Sequence, residues 1–155
     1  MRRACQGFTL LELMIVIVLI GVLVGMVSFA TGINPARQAR QEADRLAGVI
    51  RQLRERAVLD SQEYGVRLSA DGYRALRLDV RGWEPVSAFY RWPENLRLRL
   101  SHDGYSETLG ADVGPPQLLM LSSDETSAFS LAFETKGRRW LSLSSDGFDE
   151  VQIND

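Results

Sequence analysis

The order of apolar and polar positions divides the chain into three parts. Residues 7–31, GFTLLELMIVIVLIGVLVGMVSFAT, are apolar almost throughout and carry one charge, Glu12. A helix over residues 8–31, rising about 1.5 Å per residue, would cover a hydrocarbon core of roughly 30 Å. A transmembrane helix is therefore expected there. Further on, Ala39, Ala43, Leu46, Ile50, Leu53 and Ala57 step by four and three, which sets them on one face of an amphipathic helix over residues 35–60. Asn34 and Pro35 read as an N-cap and a first helical residue. Together with Gly32 they predict a break or kink between the two helices.

Beyond Asp60 the period changes from helical to alternating. Tyr64, Val66 and Leu68 alternate, residues 69–72 read as a turn, and Tyr73, Ala75 or Leu76, Leu78 and Val80 suggest a partner strand. Leu96, Leu98 and Leu100, separated by Arg97 and Arg99, give the clearest half-buried strand. Residues 118–121, 129–133, 140–143 and 151–153 supply a second group of strands, with turns at Lys136-Gly137 and Asp146-Gly147. Residues 101–117 hold three glycines and the Pro115-Pro116 pair, so an exposed loop between the two groups is expected. One helix followed by about seven short strands is an α+β pattern, with antiparallel sheet on the helix.

Composition narrows this picture. Of 155 residues, 45% are hydrophobic and 25% charged, the balance of a folded protein. Residues 61–155 make one small β-rich globular domain. That domain carries 10 basic and 15 acidic residues, a net of −5, and nothing in its sequence resembles the basic face that nucleic-acid binding requires. The single cysteine, Cys5, allows no intrachain disulfide. Glu12 lies inside the apolar run, where a carboxylate at depth costs about 2.5 kcal/mol or more without a partner, so it is a functional candidate. Gly21 and Gly25 have the spacing that permits close helix packing in lipid. Arg2 and Arg3 compete with Arg37, Arg40 and Arg45, so charge alone does not orient the span.

Candidate chemistry downstream is sparse. His102, the only histidine, stands between Ser101 and Asp103, but neighbours on an extended chain point in opposite directions and make no triad; a turn is the better reading. Asp146, Asp149 and Glu150 lack calcium-loop spacing and read as a plain turn. Trp83, Trp92 and Trp140 lie in or beside expected strands, where packing is the default. Neither a catalytic residue, a metal site nor a cofactor is predicted.

A short basic leader, Gly7, then Phe8, Thr9, Leu10, Leu11 and Glu12 opening a long apolar helix, resembles the type IV prepilin N-terminus of pilins and type II secretion pseudopilins. With the amphipathic helix and β-rich domain behind it, the chain is similar to GspH-like minor pseudopilins, through residues 7–30 closely and through the tract from Gly72-Tyr73 to Leu100, with Gly82-Trp83 and Trp92-Pro93, more loosely. The resemblance implies a type IV pilin-like fold. It implies that residues 1–7 are a leader cut off after Gly7 by a prepilin peptidase, with N-methylation at Phe8, and that residues 8–31 make a single pass of the bacterial inner membrane with the domain in the periplasm. It implies that Glu12 pairs with the amino terminus at Phe8 of a neighbouring subunit. The partners it implies are other minor and major pseudopilins in a tip complex and the inner-membrane secretion platform, with no nucleic acid and no enzymatic activity. A FimT-like minor pilin of a type IV pilus shares the same opening motif and is the alternative; a membrane-anchored periplasmic enzyme using His102 and Asp103 is a more distant one.

Overall fold

The computed structural model of the chain describes residues 10–30, 34–102 and 104–155, with side chains in the first stretch described as far as Val22. It forms two units, Met1–Asn34 and Pro35–Asp155. In the first, helix α1 runs from Leu10 to Ala30. All of its described side chains are exposed, and a helix with apolar residues on every side needs lipid or other chains around it. Among the described residues no helix is long and apolar enough to cross a membrane. The thirteen positions with described side chains rise only about 20 Å, so the span expected over residues 8–31 lies partly outside them. The described part of α1 ends at Ala30, and α2 begins at Pro35. The break expected at Gly32 falls on residues outside the description.

The second unit is built around α2, Pro35–Asp60. Its buried residues include all six of the expected face, Ala39, Ala43, Leu46, Ile50, Leu53 and Ala57. Burying each of the three large aliphatic side chains stabilises the unit by about 1.5–3 kcal/mol. Alanines hold the two ends of this stripe and the larger Leu46, Ile50 and Leu53 its middle, so the strands can approach closely over the alanines and interdigitate with the rest.

Ten strands follow: β1 Tyr64–Leu68, β2 Gly72–Asp79, β3 Gly82–Pro85, β4 Tyr90–Arg91, β5 Arg97–His102, β6 Tyr105–Glu107, β7 Leu118–Met120, β8 Phe129–Thr135, β9 Arg138–Ser145 and β10 Gln152–Asn154. The first sheet has the order β3-β2-β1-β7, with β4 also pairing β2; the second has the order β10-β9-β8-β5-β6, and the registered pairs are antiparallel. Register directs Val66, Leu68, Tyr73 and Ala75 of the first sheet and Leu100, Leu131, Phe133 and Leu143 of the second into one cluster with the α2 stripe. Lys136 and Gly137 both have positive φ, 52° and 78°, and close the two-residue β8-β9 hairpin in the conformation that favours glycine.

Three strands were not expected from the sequence. β4 is only two residues long, β3 contains glycine and proline, and β6 is exposed throughout, so none shows an apolar alternation. β6 and its hairpin also correct the expectation of a loop over residues 101–117. The remainder of that segment is tied across the outer face of the first sheet. Arg67 Nε donates to Asp112 at 2.6 Å, Arg74 pairs with the other oxygen of the same carboxylate, and Ala70 N donates to Gly110 O at 2.9 Å. Pro116 packs where Gly65 has no side chain; a Cβ there would sit 2.4 Å from Pro116 Cγ. Gln117 then presents its amide to Leu68 like a backbone group, accepting from Leu68 N at 2.8 Å and donating to Leu68 O at 3.1 Å. Val80, expected in a strand, instead occupies the β2-β3 turn fully exposed.

Candidate functional site

Two of the residues singled out from the sequence, Gly7 and Phe8, lie outside the described residues. Glu12 is in the first turn of α1, exposed, on a helix whose described surface is otherwise aliphatic: Leu10 is 77% exposed and Val16, the least, 41%. An exposed apolar stretch of this extent marks a surface that works against lipid or another chain. Gly21 is exposed, with open space where a Cβ would project; the surroundings of Gly25 are outside the description. The candidate site is thus an aliphatic rod with one carboxylate near its start.

The second unit, Pro35–Asp155, is a compact body of its own, and two polar devices fix it. On the packed face of α2, Glu42 is 6% exposed among apolar neighbours. Tyr90 Oη lies 3.0 Å from both Glu42 oxygens, donating its proton to the carboxylate, and accepts from Arg45 Nη1 at 2.6 Å. The Arg45 guanidinium also sits 4.7 Å from the Tyr90 ring centre. Behind them Tyr73, Tyr90, Trp92 and Phe133 form a chain of ring contacts from the first sheet to the second. Burial, and then the hydrogen bond to Glu42, raises the Tyr90 pKa; burial pushes Tyr73 up to about 12. Both hydroxyls stay protonated and able to donate at any physiological pH.

At the other end of α2, Arg54 holds two loops at once. It donates to Asp124 Oδ1 at 2.7 Å, to Phe148 O at 2.7 Å and to Asp149 O at 3.1 Å. These loops border a groove of about 360 Å³ along α2, lined by Ala47, Ile50, Arg51, Phe148 and Val151 among others. Sequence reasoning missed both devices. Glu42 was detectable, since it falls three residues after Ala39 and four before Leu46, on the stripe itself. Nothing in the sequence marks Arg54 among six arginines of α2.

The downstream candidates resolve into turns. His102 pairs with Tyr105 across the β5-β6 hairpin, and its Nδ1 lies 3.3 Å from Glu107; Asp103 is outside the described residues. Asp146 accepts from the backbone N–H of Phe148 at 3.0 Å and of Asp149 at 2.9 Å, which lowers its pKa, the Asp149 bond most. Gly147, φ 100°, makes that turn possible. Among the described residues no cluster of three or more metal-capable side chains occurs.

Comparison with known proteins agrees with this geometry. A family profile for the prokaryotic N-terminal methylation motif matches residues 2–28. The chain is 45% identical to the type II secretion system protein H of Pseudomonas aeruginosa over 161 residues, covering 94% of each chain. It is 31% identical to that of Pectobacterium carotovorum over 175 residues, covering 94% of this chain and 91% of the relative. Its fold matches the minor pseudopilin EpsH of the Vibrio cholerae type 2 secretion system with TM-score 0.65 at 24% identity, over 76% of this chain and 95% of that one. The solution structure of Escherichia coli GspH matches with TM-score 0.64 at 21% identity, over 77% and 89%. On identity over 94% of both chains, with the shared fold and opening motif beside it, the chain belongs to the type II secretion system protein H family.

Proposed function

We propose that this minor pseudopilin is made as a prepilin, held in the inner membrane by residues 8–31 with residues 61–155 on the periplasmic side, and drawn from there into the pseudopilus. The observation that carries the reading is the run from Gly7 through Phe8 to Glu12 at the head of an aliphatic helix, inside the matched methylation motif. Prepilin peptidase removes residues 1–7, and Phe8 becomes the methylated amino terminus. Glu12 then meets the Phe8 amine of an adjoining subunit. Two opposite charges desolvated together are tolerable where each apart is costly, so the pair fixes the axial register of subunits while the aliphatic surface supplies adhesion. Gly21 and Gly25 let neighbouring helices approach. The subunit joins other minor pseudopilins at the filament tip, contacts the inner-membrane platform, and aids movement of folded proteins across the outer membrane without catalysing a reaction. The names of its relatives favour secretion over the type IV pilus reading.

The test separates processing from assembly. Gly7→Ala is expected to leave the full-length precursor uncut in a host carrying the peptidase, read by mass spectrometry of the amino terminus. Glu12→Gln is expected to be cut and methylated normally but to lose co-purification with the other pseudopilins. Normal secretion by a strain holding only uncut Gly7→Ala protein would refute the scheme.

A further inference from the structure

The charge of Pro35–Asp155 is unevenly placed. Arg97 and Arg99 on β5, Lys136 in the β8-β9 turn, and Arg138 and Arg139 at the start of β9 come together at one end of the second sheet, through the pairs Arg97↔Glu134, Glu134↔Arg139 and Thr135↔Arg138. With Glu134 between them, these five cations sum to +4, while the other 11 cations and 18 anions of the unit leave −7. All five are exposed. Only Arg99 is paired, with Glu134 at 3.3 Å; among the described residues Arg97, Lys136, Arg138 and Arg139 have no ion-pair partner. Arg138 spreads over the Trp140 ring, 4.4 Å from its centre, and puts an aromatic side chain within the patch. Asp71 and Glu94 border it beside Arg91, lining a small adjoining groove with Arg97.

The position of this end is fixed by contacts with α2. Asn95 Nδ2 donates to Gln38 Oε1 at 3.0 Å, and Arg40 Nη1 donates to Asp155 at 3.1 Å. Asn154 lies opposite Ser142 on β9. From Ser142 back to Arg138 is four residues, about 13 Å of strand. From Arg40 back to Pro35 is about 7.5 Å of helix. The β8-β9 turn therefore lies toward the N-terminal part of α2 and away from Arg54. The acidic β9-β10 loop, with Asp146, Asp149 and Glu150, is clamped by Arg54 toward the opposite end. The cationic end is therefore on the side of Pro35, where the unit begins.

We infer that this end is a docking face for anionic phospholipid headgroups, which holds the folded unit against the bilayer surface before assembly. The inference rests on the proposed anchoring of residues 8–31 in the membrane. Arginine and lysine near a negative leaflet gain attraction that fades within a Debye length, about 8 Å at physiological salt. A tryptophan in the patch suits the headgroup level. The −7 remainder repels the same surface, so the patch sets orientation as well as attachment. A subunit entering the filament must release this face.

The test uses full-length chain with Cys5→Ser and Ser130→Cys, a donor dye at position 130, in vesicles of phosphatidylcholine with or without phosphatidylglycerol and with acceptor dye on a fraction of headgroups. Energy transfer is expected to rise about twofold with phosphatidylglycerol and to fall back in roughly 0.5 M salt. Combined Arg97→Gln, Lys136→Gln, Arg138→Gln and Arg139→Gln should abolish the rise. A set with lysine at the three arginine positions should keep it and controls for folding. No rise in the parent chain, or an undiminished rise in the glutamine set, overturns the inference. So does a glutamine set that loses binding to other pseudopilins while the parent shows no lipid response, since the patch then serves an acidic protein. Release of the parent chain from neutral vesicles by an alkaline carbonate wash would overturn the anchoring reading and this inference with it. Loss of docking alone leaves the chain on the vesicles, so the two failures are distinguishable.

Discussion

The two helices, α1 and α2, are built from similar aliphatic residues and behave oppositely. In α2 six apolar positions form one stripe, which the unit buries, with Leu46 0% and Ile50 1% exposed, while Val58 and Leu59 near the helix end lie outside it. In α1 they surround the axis, and the described side chains from Leu10 to Val22 stay exposed. A stripe can be satisfied by one sheet layer, whereas an all-round apolar helix needs a medium or several neighbours. The difference teaches where stability and where assembly reside: α2 completes a body by itself, and α1 is left for lipid or other subunits to complete.

The sharpest way to break this comparison is to delete equivalent apolar groups from each helix. Leu46→Ala should destabilise Pro35–Asp155 by about 3 kcal/mol, seen as a lower denaturant midpoint. Val18→Ala should move that midpoint by less than about 0.5 kcal/mol. Equal effects would dissolve the distinction. The next effect is alkaline. The Tyr73 pKa is raised from 10.0 to about 12 in the folded unit, so the stabilisation is complete below pH 10 and is lost as pH rises toward 12. Each unit of difference corresponds to about 1.4 kcal/mol. Stability measured against pH should fall across that window, and Tyr73→Phe should flatten the fall. Arg54→Ala removes three hydrogen bonds from a partly buried guanidinium and is expected to cost about 2 kcal/mol, with hydrogen exchange rising first in the loops around Asp124 and Phe148. Smallest is a gain. Gly48 lies on the exposed side of α2 with nothing within 4 Å of a Cβ, so Gly48→Ala should stabilise by about 0.5–1 kcal/mol, read as a higher melting temperature.

Much of the architecture was legible because it is written as periodicity. The α2 stripe, the strands at Val66, Leu100, Leu131 and Leu143, and the turns at Lys136-Gly137 and Asp146-Gly147 all follow from residue spacing or from glycine at a left-handed position. Short edge strands such as Tyr90–Arg91 were not legible, since two residues carry no period. The strap over the first sheet was missed for a different reason. Pro116 on Gly65 and Asp112 between Arg67 and Arg74 are long-range complementarities, and each partner alone reads as ordinary loop or strand. For the candidate site, Gly7, Phe8 and Glu12 were visible as a local motif. The cationic end was not, because its members lie at positions 97 to 139 and strand pairing gathers them.

The sequence by itself determined where the helices and the longer strands fall, that one helix is apolar all round and the other on one side, and that a carboxylate follows Phe8 by four residues. Those are properties of neighbours along the chain, set by local periods of 3.6 and 2. Only the tertiary structure decided that Glu42 finds Tyr90, that Arg54 ties two distant loops, and that five cations from separate strands share one end opposite the acidic loop. Such pairings depend on sheet order and register, which no single stretch of residues encodes.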